Sequence, residues 1–199
     1  MGAQALAVDR RFLSRHALLI AAFAGLLVLS LRGWLEGDMA RHMLIEFPLL
    51  LIAGTAIGRV LDERFGAQID RCNQMGLVGF AFGSITLAYW MIPAALDAAL
   101  LDEWVAVGKY ISLVASGALL WNSFAAAPLA VQAFFVGNFA CMTSTVGLIY
   151  QSAPQQLCLN YRADTQAAAG EGLVAVAVIA ACMWCVSVAP AFLDRGADA

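Results

Sequence analysis

The chain is a succession of six long apolar stretches, at about residues 16–34, 42–60, 75–98, 107–127, 130–151 and 170–193, with short polar connections between them. Each is close to the roughly 20 apolar residues that a helix needs to cross a hydrocarbon core ~30 Å thick. Inside lipid the backbone must satisfy its own hydrogen bonds, and runs without apolar/polar alternation do so as helices rather than as barrel strands. The expected fold is therefore all-α: one polytopic membrane domain over residues 1–199, a bundle of about six transmembrane helices. Composition agrees, since 62% of the residues are hydrophobic and only 13% charged, with a mean hydropathy of +0.80. Soluble domains carry about a quarter of their residues charged.

The eleven basic residues are scattered and the net charge is −3, so no nucleic-acid surface is expected. Their distribution does set an orientation. Arg10, Arg11, Arg15, Arg59, Arg64, Arg71 and Arg195 fall on one side of the predicted bundle, and Arg32, Arg41, Lys109 and Arg162 on the other. Because cytoplasmic loops are enriched in Arg and Lys, both termini are expected in the cytoplasm of a cell (inner) membrane. The basic-then-apolar N-terminus resembles a signal peptide, but its apolar run is long enough to span and no clear A-x-A site follows, so it reads as a retained first helix. The connection from Ser123 to Pro128 is short and nearly charge-free, which predicts a tight antiparallel hairpin between spans four and five. Gly54 and Gly58 form a G-x-x-x-G suited to close helix packing. The five cysteines form no disulfide framework, and Cys182 and Cys185, a C-x-x-C inside an apolar run, read as small packing residues.

The stretch with most chemistry runs from Asp38 to Pro48, at the outer entrance of span two. Met39, His42, Met43 and Glu46 have helical spacing i, i+3, i+4, i+7 and share one face. Thioether and imidazole together suit Cu(I) better than hard cations, so copper is the cofactor this face implies. An ionised carboxylate near a bilayer centre costs at least ~2.5 kcal/mol on insertion scales, and such residues face a bundle interior or a water-filled cavity. Alternatively Glu46 reaches the interface or pairs with Arg41 or Lys109. Met91, Gln166 and Glu171 stand where other helices meet the same side, whereas Trp34, Trp104 and Tyr150 read as aromatic-belt anchors.

Five pieces in order, HMLIEFPLLLIAG, AYWMIPAALDAAL, KYISLVASGALLWNSF, FFVGNFACMTSTVGLIY and LNYRADTQAAAGEGL, resemble the CtaG-like family of cytochrome oxidase assembly membrane proteins. The resemblance covers about residues 39 to 185. It implies a non-enzymatic membrane protein that helps metallate a copper-containing respiratory or other membrane enzyme, with Met39, His42, Met43, Glu46 and Met91 as the metal set. The departures are specific. Of the paired histidines at the start of that helix only His42 is present, with Glu46 four residues later. The Trp-His-x-Pro motif reads Trp90-Met91-Ile92-Pro93, the histidine of span four becomes Tyr110, and the acidic-Gln pair becomes Thr165-Gln166. His16, the other histidine, is predicted on the opposite side. The site is therefore either converted to a Met/His/Glu set or lost, and a structural accessory subunit of a larger membrane complex is the alternative function. A transporter using Glu46 and Glu171 is less favoured, because no broken helices recur in two inverted halves. Nucleotide-binding, HExxH and two-histidine haem motifs are absent.

Overall fold

The computed structural model describes residues 2–153 and 155–197, with side chains described over 16–153 and 155–190. Arg10, Arg11, Arg15 and Arg195, on which part of the orientation rests, have side chains outside the described residues. The elements are α1 (Gly2–Ser30), α2 (Arg32–Leu35), α3 (Met39–Arg41), a π-helical turn (His42–Glu46), α4 (Phe47–Cys72), a 3-10 turn (Gln74–Gly76), α5 (Leu77–Trp90), α6 (Pro93–Leu101), α7 (Glu103–Ala126), α8 (Leu129–Ser152) and α9 (Ala163–Ala197). No strand occurs among the described residues. By length and composition four helices can cross a membrane, namely Met39–Cys72, Glu103–Ala126, Leu129–Ser152 and Ala163–Pro190, or five if a bent pair counts as one span. The apolar segment His16–Ser30 of α1 is a further, shorter one.

The bent pair corrects the expectation of a single helix over 75–98. Gln74–Trp90 and Pro93–Leu101 meet at 77°. Proline has no N–H to continue a helix, and its ring drives the preceding residue to extended backbone. Ile92 accordingly sits at φ −79°, ψ 126°, and Pro93 opens α6 instead of extending α5. The connection expected between the apolar stretches 75–98 and 107–127 shrinks to Asp102, whose carboxylate accepts from the N–H groups of Trp104 at 2.7 Å and Val105 at 3.4 Å. The arginine-rich stretch after residue 60 is also helical, since α4 continues to Cys72 with a kink at Phe65.

α4 packs against both α1 and α7, α7 also receives α5 and α6, and α8 pairs with α9. The α4–α7 contact is made backbone to backbone. A Cβ at Gly54 would run into the Val114 carbonyl, one at Gly58 into Ala118, and one at Gly117 into the Leu51 carbonyl. Close helix approach is thus the use of the G-x-x-x-G. The predicted tight hairpin of α7 with α8 is not what forms. Gln132 Nε2 donates to the carbonyls of Phe124 and Ala127 at 3.1 and 3.0 Å and holds the turn, while the two helices part around a cavity of about 510 Å³ lined by Phe80, Phe124, Phe135, Phe139 and Trp184. An antiparallel connection fixes only where the chain turns; the apolar faces decide the partners.

Leu19, Phe23, Leu26, Leu29, Ile179, Met183 and Val186 are each more than half exposed, a display suited to lipid. α9 packs through Ala169, Leu173 and Ala177. Cys182 and Cys185 lie on its exposed side with Ile179 and Val186, so they face outward and are not part of the packing as expected. Cys72 and Cys141 are also exposed and only Cys158 is buried. Tyr150 is not a belt residue but a buried one, donating its hydroxyl to the Met91 carbonyl at 2.5 Å. Trp34 and Trp104 are exposed as belt anchors require.

Gly117→Val forces α4 and α7 apart and is expected to cost about 3 kcal/mol or more, the range of severe overpacking. Gly137→Ala, where an added Cβ meets nothing within 4 Å, is expected to leave stability unchanged or raise it by about 0.5–1 kcal/mol. Thermal unfolding in detergent, followed by helical circular dichroism, separates the two.

Candidate cation site around Lys109

The polar residues of one end of the bundle converge on a single side chain. Asp38 starts the segment by accepting the Arg41 N–H at 3.1 Å, a normal N-cap. Four residues on, the helix widens: Phe47 N–H bonds to the His42 carbonyl, five residues back instead of four. Pro48 supplies the cause, since it has no N–H for the Leu44 carbonyl and its ring crowds that position. Such π-turns recur at functional sites. Here it leaves His42 and Glu46, like Met39 and Met43, on the buried side.

From α7, two turns beyond its N-cap, comes Lys109, the only lysine of the chain and fully buried. Its Nζ lies 2.7 Å from Glu46 Oε1, 2.9 Å from Glu36 Oε1 and 2.8 Å from His42 Nε2. Glu36, just after α2, is held further by Arg32 Nε at 2.9 Å on Oε2 and by the Tyr110 hydroxyl at 3.0 Å on Oε1. His42 Nδ1 meets the Tyr161 hydroxyl, and Phe47 stands edge-on to its ring. Both ring nitrogens are therefore engaged. Glu46 Oε1 makes the ion pair with Lys109, while Oε2 stands 3.7 Å from His42 Nε2 and receives no hydrogen bond, although the side chain is fully buried. One ligand atom each of Glu36, His42 and Glu46 lies within 4.8 Å of the others, the geometry of a cation site.

Burial alone would push the Glu36 carboxyl up, but the Lys109 ammonium, the Arg32 guanidinium and the Tyr110 hydroxyl outweigh it and hold it below the ordinary 4.5. Burial raises the Tyr161 hydroxyl, with the two carboxylates adding to the effect. In the same loop, burial first and Asp97 second push the Cys158 thiol up to about 12, which makes it inert. Asp97 fastens that loop to α6 by accepting from Leu159 N at 2.8 Å and Asn160 N at 3.2 Å.

Of the five residues predicted as metal ligands, His42 and Glu46 enter this cluster. Met39, Met43 and Met91 are buried in the adjoining apolar cluster with Phe47, Leu96 and Leu113. The partner of Glu46 is Lys109 and not Arg41, which lies over the Trp34 ring. Gln166 is a structural clamp: it accepts from Leu157 N at 2.8 Å and donates to the Tyr150 carbonyl at 3.1 Å. Glu171 is exposed. Sequence reasoning passed over Glu36, Tyr161 and the central place of Lys109. A lone lysine in an otherwise apolar run was the signal that could have found the last.

Comparison with protein-family models, with curated proteins and with solved structures finds no match for this chain. What the fold and the cluster define is a class: an all-helical bundle with helices of membrane-spanning length and a buried ionic site at one end.

Glu36 ionises more readily in the folded chain than when unfolded, so its contribution is complete above the ordinary carboxylate range and lost as pH falls through the lower folded value. Glu36→Gln is expected to lower stability at pH 7 by about 2 kcal/mol, below the 3–5 of a fully enclosed pair because Arg32 and the Glu36 edge are wet. Unfolding midpoints of the two proteins in detergent should approach each other as pH falls below the ordinary carboxylate range and through the lower folded value of Glu36.

Proposed function

We propose that this chain is a non-enzymatic, six-span protein of the cell (inner) membrane that serves the assembly or metallation of a copper-containing membrane enzyme, on the resemblance a cytochrome oxidase. The observation that carries the reading is the convergence of Glu36, His42 and Glu46 on one cationic position. An ionic cluster buried in a helix bundle is expensive, and chains keep such groups for a task. The six spans are α1, the unit Met39–Cys72, the bent pair α5–α6, α7, α8 and α9. With both termini cytoplasmic, the Lys109 cluster faces the outer side, where His42 and Glu46 would hold copper and the thioethers of Met39, Met43 and Met91 in the apolar shell would supply soft donors. Copper bound there would be cargo passed to a partner enzyme, and the bilayer is the other partner.

Lys109 also favours a second reading. Its ammonium already fills the cation position, which suits an accessory subunit that stays in a larger membrane complex without a metal of its own.

Deletion of the gene is expected to lower the copper content of the membrane-oxidase fraction several-fold, with recovery on expressing wild type but not His42→Ala. Unchanged copper in the deletion strain, together with co-migration of this chain with a heavy complex on native gels, overturns the first reading in favour of the second.

A further inference from the structure

We infer that Glu36, His42 and Glu46 form a site for a divalent cation of the copper(II) and zinc class, and that the Lys109 side chain is its resident, exchangeable occupant. The inference deepens the proposed function, resting on it only for the identity of the physiological metal.

The geometry is that of a cation already bound. Three ligand atoms surround Nζ at 2.7, 2.8 and 2.9 Å, and one ligand atom from each of the same three residues lies within 4.8 Å of the others. Bonds from zinc to imidazole or carboxylate are about 2.0–2.2 Å, so a metal at this point needs each ligand to close in by roughly 0.5–0.9 Å. Glu46 provides the second, independent observation. Both of its oxygens are fully buried; Oε1 meets the Lys109 ammonium at 2.7 Å, while Oε2, 3.7 Å from His42 Nε2, has no hydrogen-bond donor and keeps its lone pairs free.

Charge and donor type select the class of ion. Within the buried set one ammonium faces two carboxylates, and the second counter-charge is Arg32, whose side chain is 36% exposed at the rim. A divalent ion would balance both carboxylates without Arg32, whereas a monovalent one would only repeat what Lys109 does. Two carboxylates and one imidazole are a harder set than the thioether-rich one predicted from Met39 and Met43, and for such nitrogen and oxygen donors copper(II) binds most tightly among the divalent first-row ions.

Lys109 has somewhere to go. It stands seven residues after Asp102, about 10 Å along the helix. Lysine stems lie along apolar surface with the charged end in water, and Tyr110 and Glu36 already mark a polar edge towards that end. Exchange is then a rotamer change of one flexible side chain, with its proton retained.

Lys109 being the only lysine gives a direct readout. The full chain in detergent is treated with an acetylating N-hydroxysuccinimide ester, with and without Zn²⁺, and the Lys109 peptide is followed by mass spectrometry. Acetylation is expected to be slow without metal and about tenfold faster at saturating Zn²⁺, corresponding to a shift of ~1.4 kcal/mol in the exchange. Lys109→Met, by competition with a chromophoric chelator, is expected to bind Zn²⁺ at least about tenfold tighter than wild type, and adding Glu46→Gln to reverse the gain. A Lys109 acetylation rate indifferent to saturating Zn²⁺ overturns the proposal, and that measurement decides even if Lys109→Met does not fold. Metal-dependent acetylation alongside unaltered oxidase copper in the deletion strain would leave the exchange standing and remove only the assembly role.

Discussion

An ammonium cannot be carried into a helix bundle unaccompanied. The idealised cost of moving such an ion from water to a medium of low dielectric is of order 20 kcal/mol, and several remain after relaxation. Lys109 is fully buried, so the fold has to bring it counter-charges and acceptors from elsewhere. It does so from separate pieces of chain: Glu36 after α2, His42 and Glu46 from the π-turn, with Tyr161 from the segment before α9 completing the histidine. Removing any one leaves another buried group short, which makes the end of the bundle a cooperative unit and not a set of independent contacts.

The backbone features elsewhere serve this convergence. Gly54, Gly58 and Gly117 let α4 and α7 touch along their backbones, which fixes the two helices that carry Glu46 and Lys109 in register. Pro48 opens the π-turn that turns both His42 and Glu46 to the buried side. Pro93 bends α5 into α6, and Asp97 on α6 then ties down the Leu159–Asn160 segment next to Tyr161. Two prolines and a few glycines thereby place side chains tens of residues apart in sequence.

How much of this was legible follows from what kind of information each feature needs. Helix existence is local: apolar length alone marked α4, α7, α8 and α9, although α4 runs on past the apolar stretch to Cys72 and α9 opens before it, at Ala163. The bend at Pro93 was also written locally, in a proline that the apolar run obscured. Helix partners are not local, so the α7–α8 hairpin was expected to pack and instead α8 pairs with α9. At the site, helical spacing found His42 and Glu46 because they lie on one turn. Glu36 and Tyr161 are 6 and 119 residues from His42 in sequence and reach it only through the tertiary fold, so no periodicity announces them. Glu36 in particular looks like an ordinary surface i,i+4 partner of Arg32, which it also is.

A charge-balanced cluster and a cation-handling site are not opposites. A preformed pair of carboxylates left without a cation would repel each other and draw water into the bundle, and the empty state would be the costly one. Keeping a tethered ammonium in the position avoids that state: under the proposed exchange the site would be either lysine-filled or metal-filled, and the carboxylates never both uncompensated. The tether also sets the affinity. A cation must displace an intramolecular competitor whose local concentration is fixed by the helix, so only ions that gain more from two carboxylates and an imidazole than lysine does will enter. Weakening the site in this way would suit the proposed transient carrier, because a cargo held without competition would not be released. The same residues read as a permanent structural plug only if Lys109 never leaves, and the flexible stem and the undonated Glu46 Oε2 argue for a side chain that can.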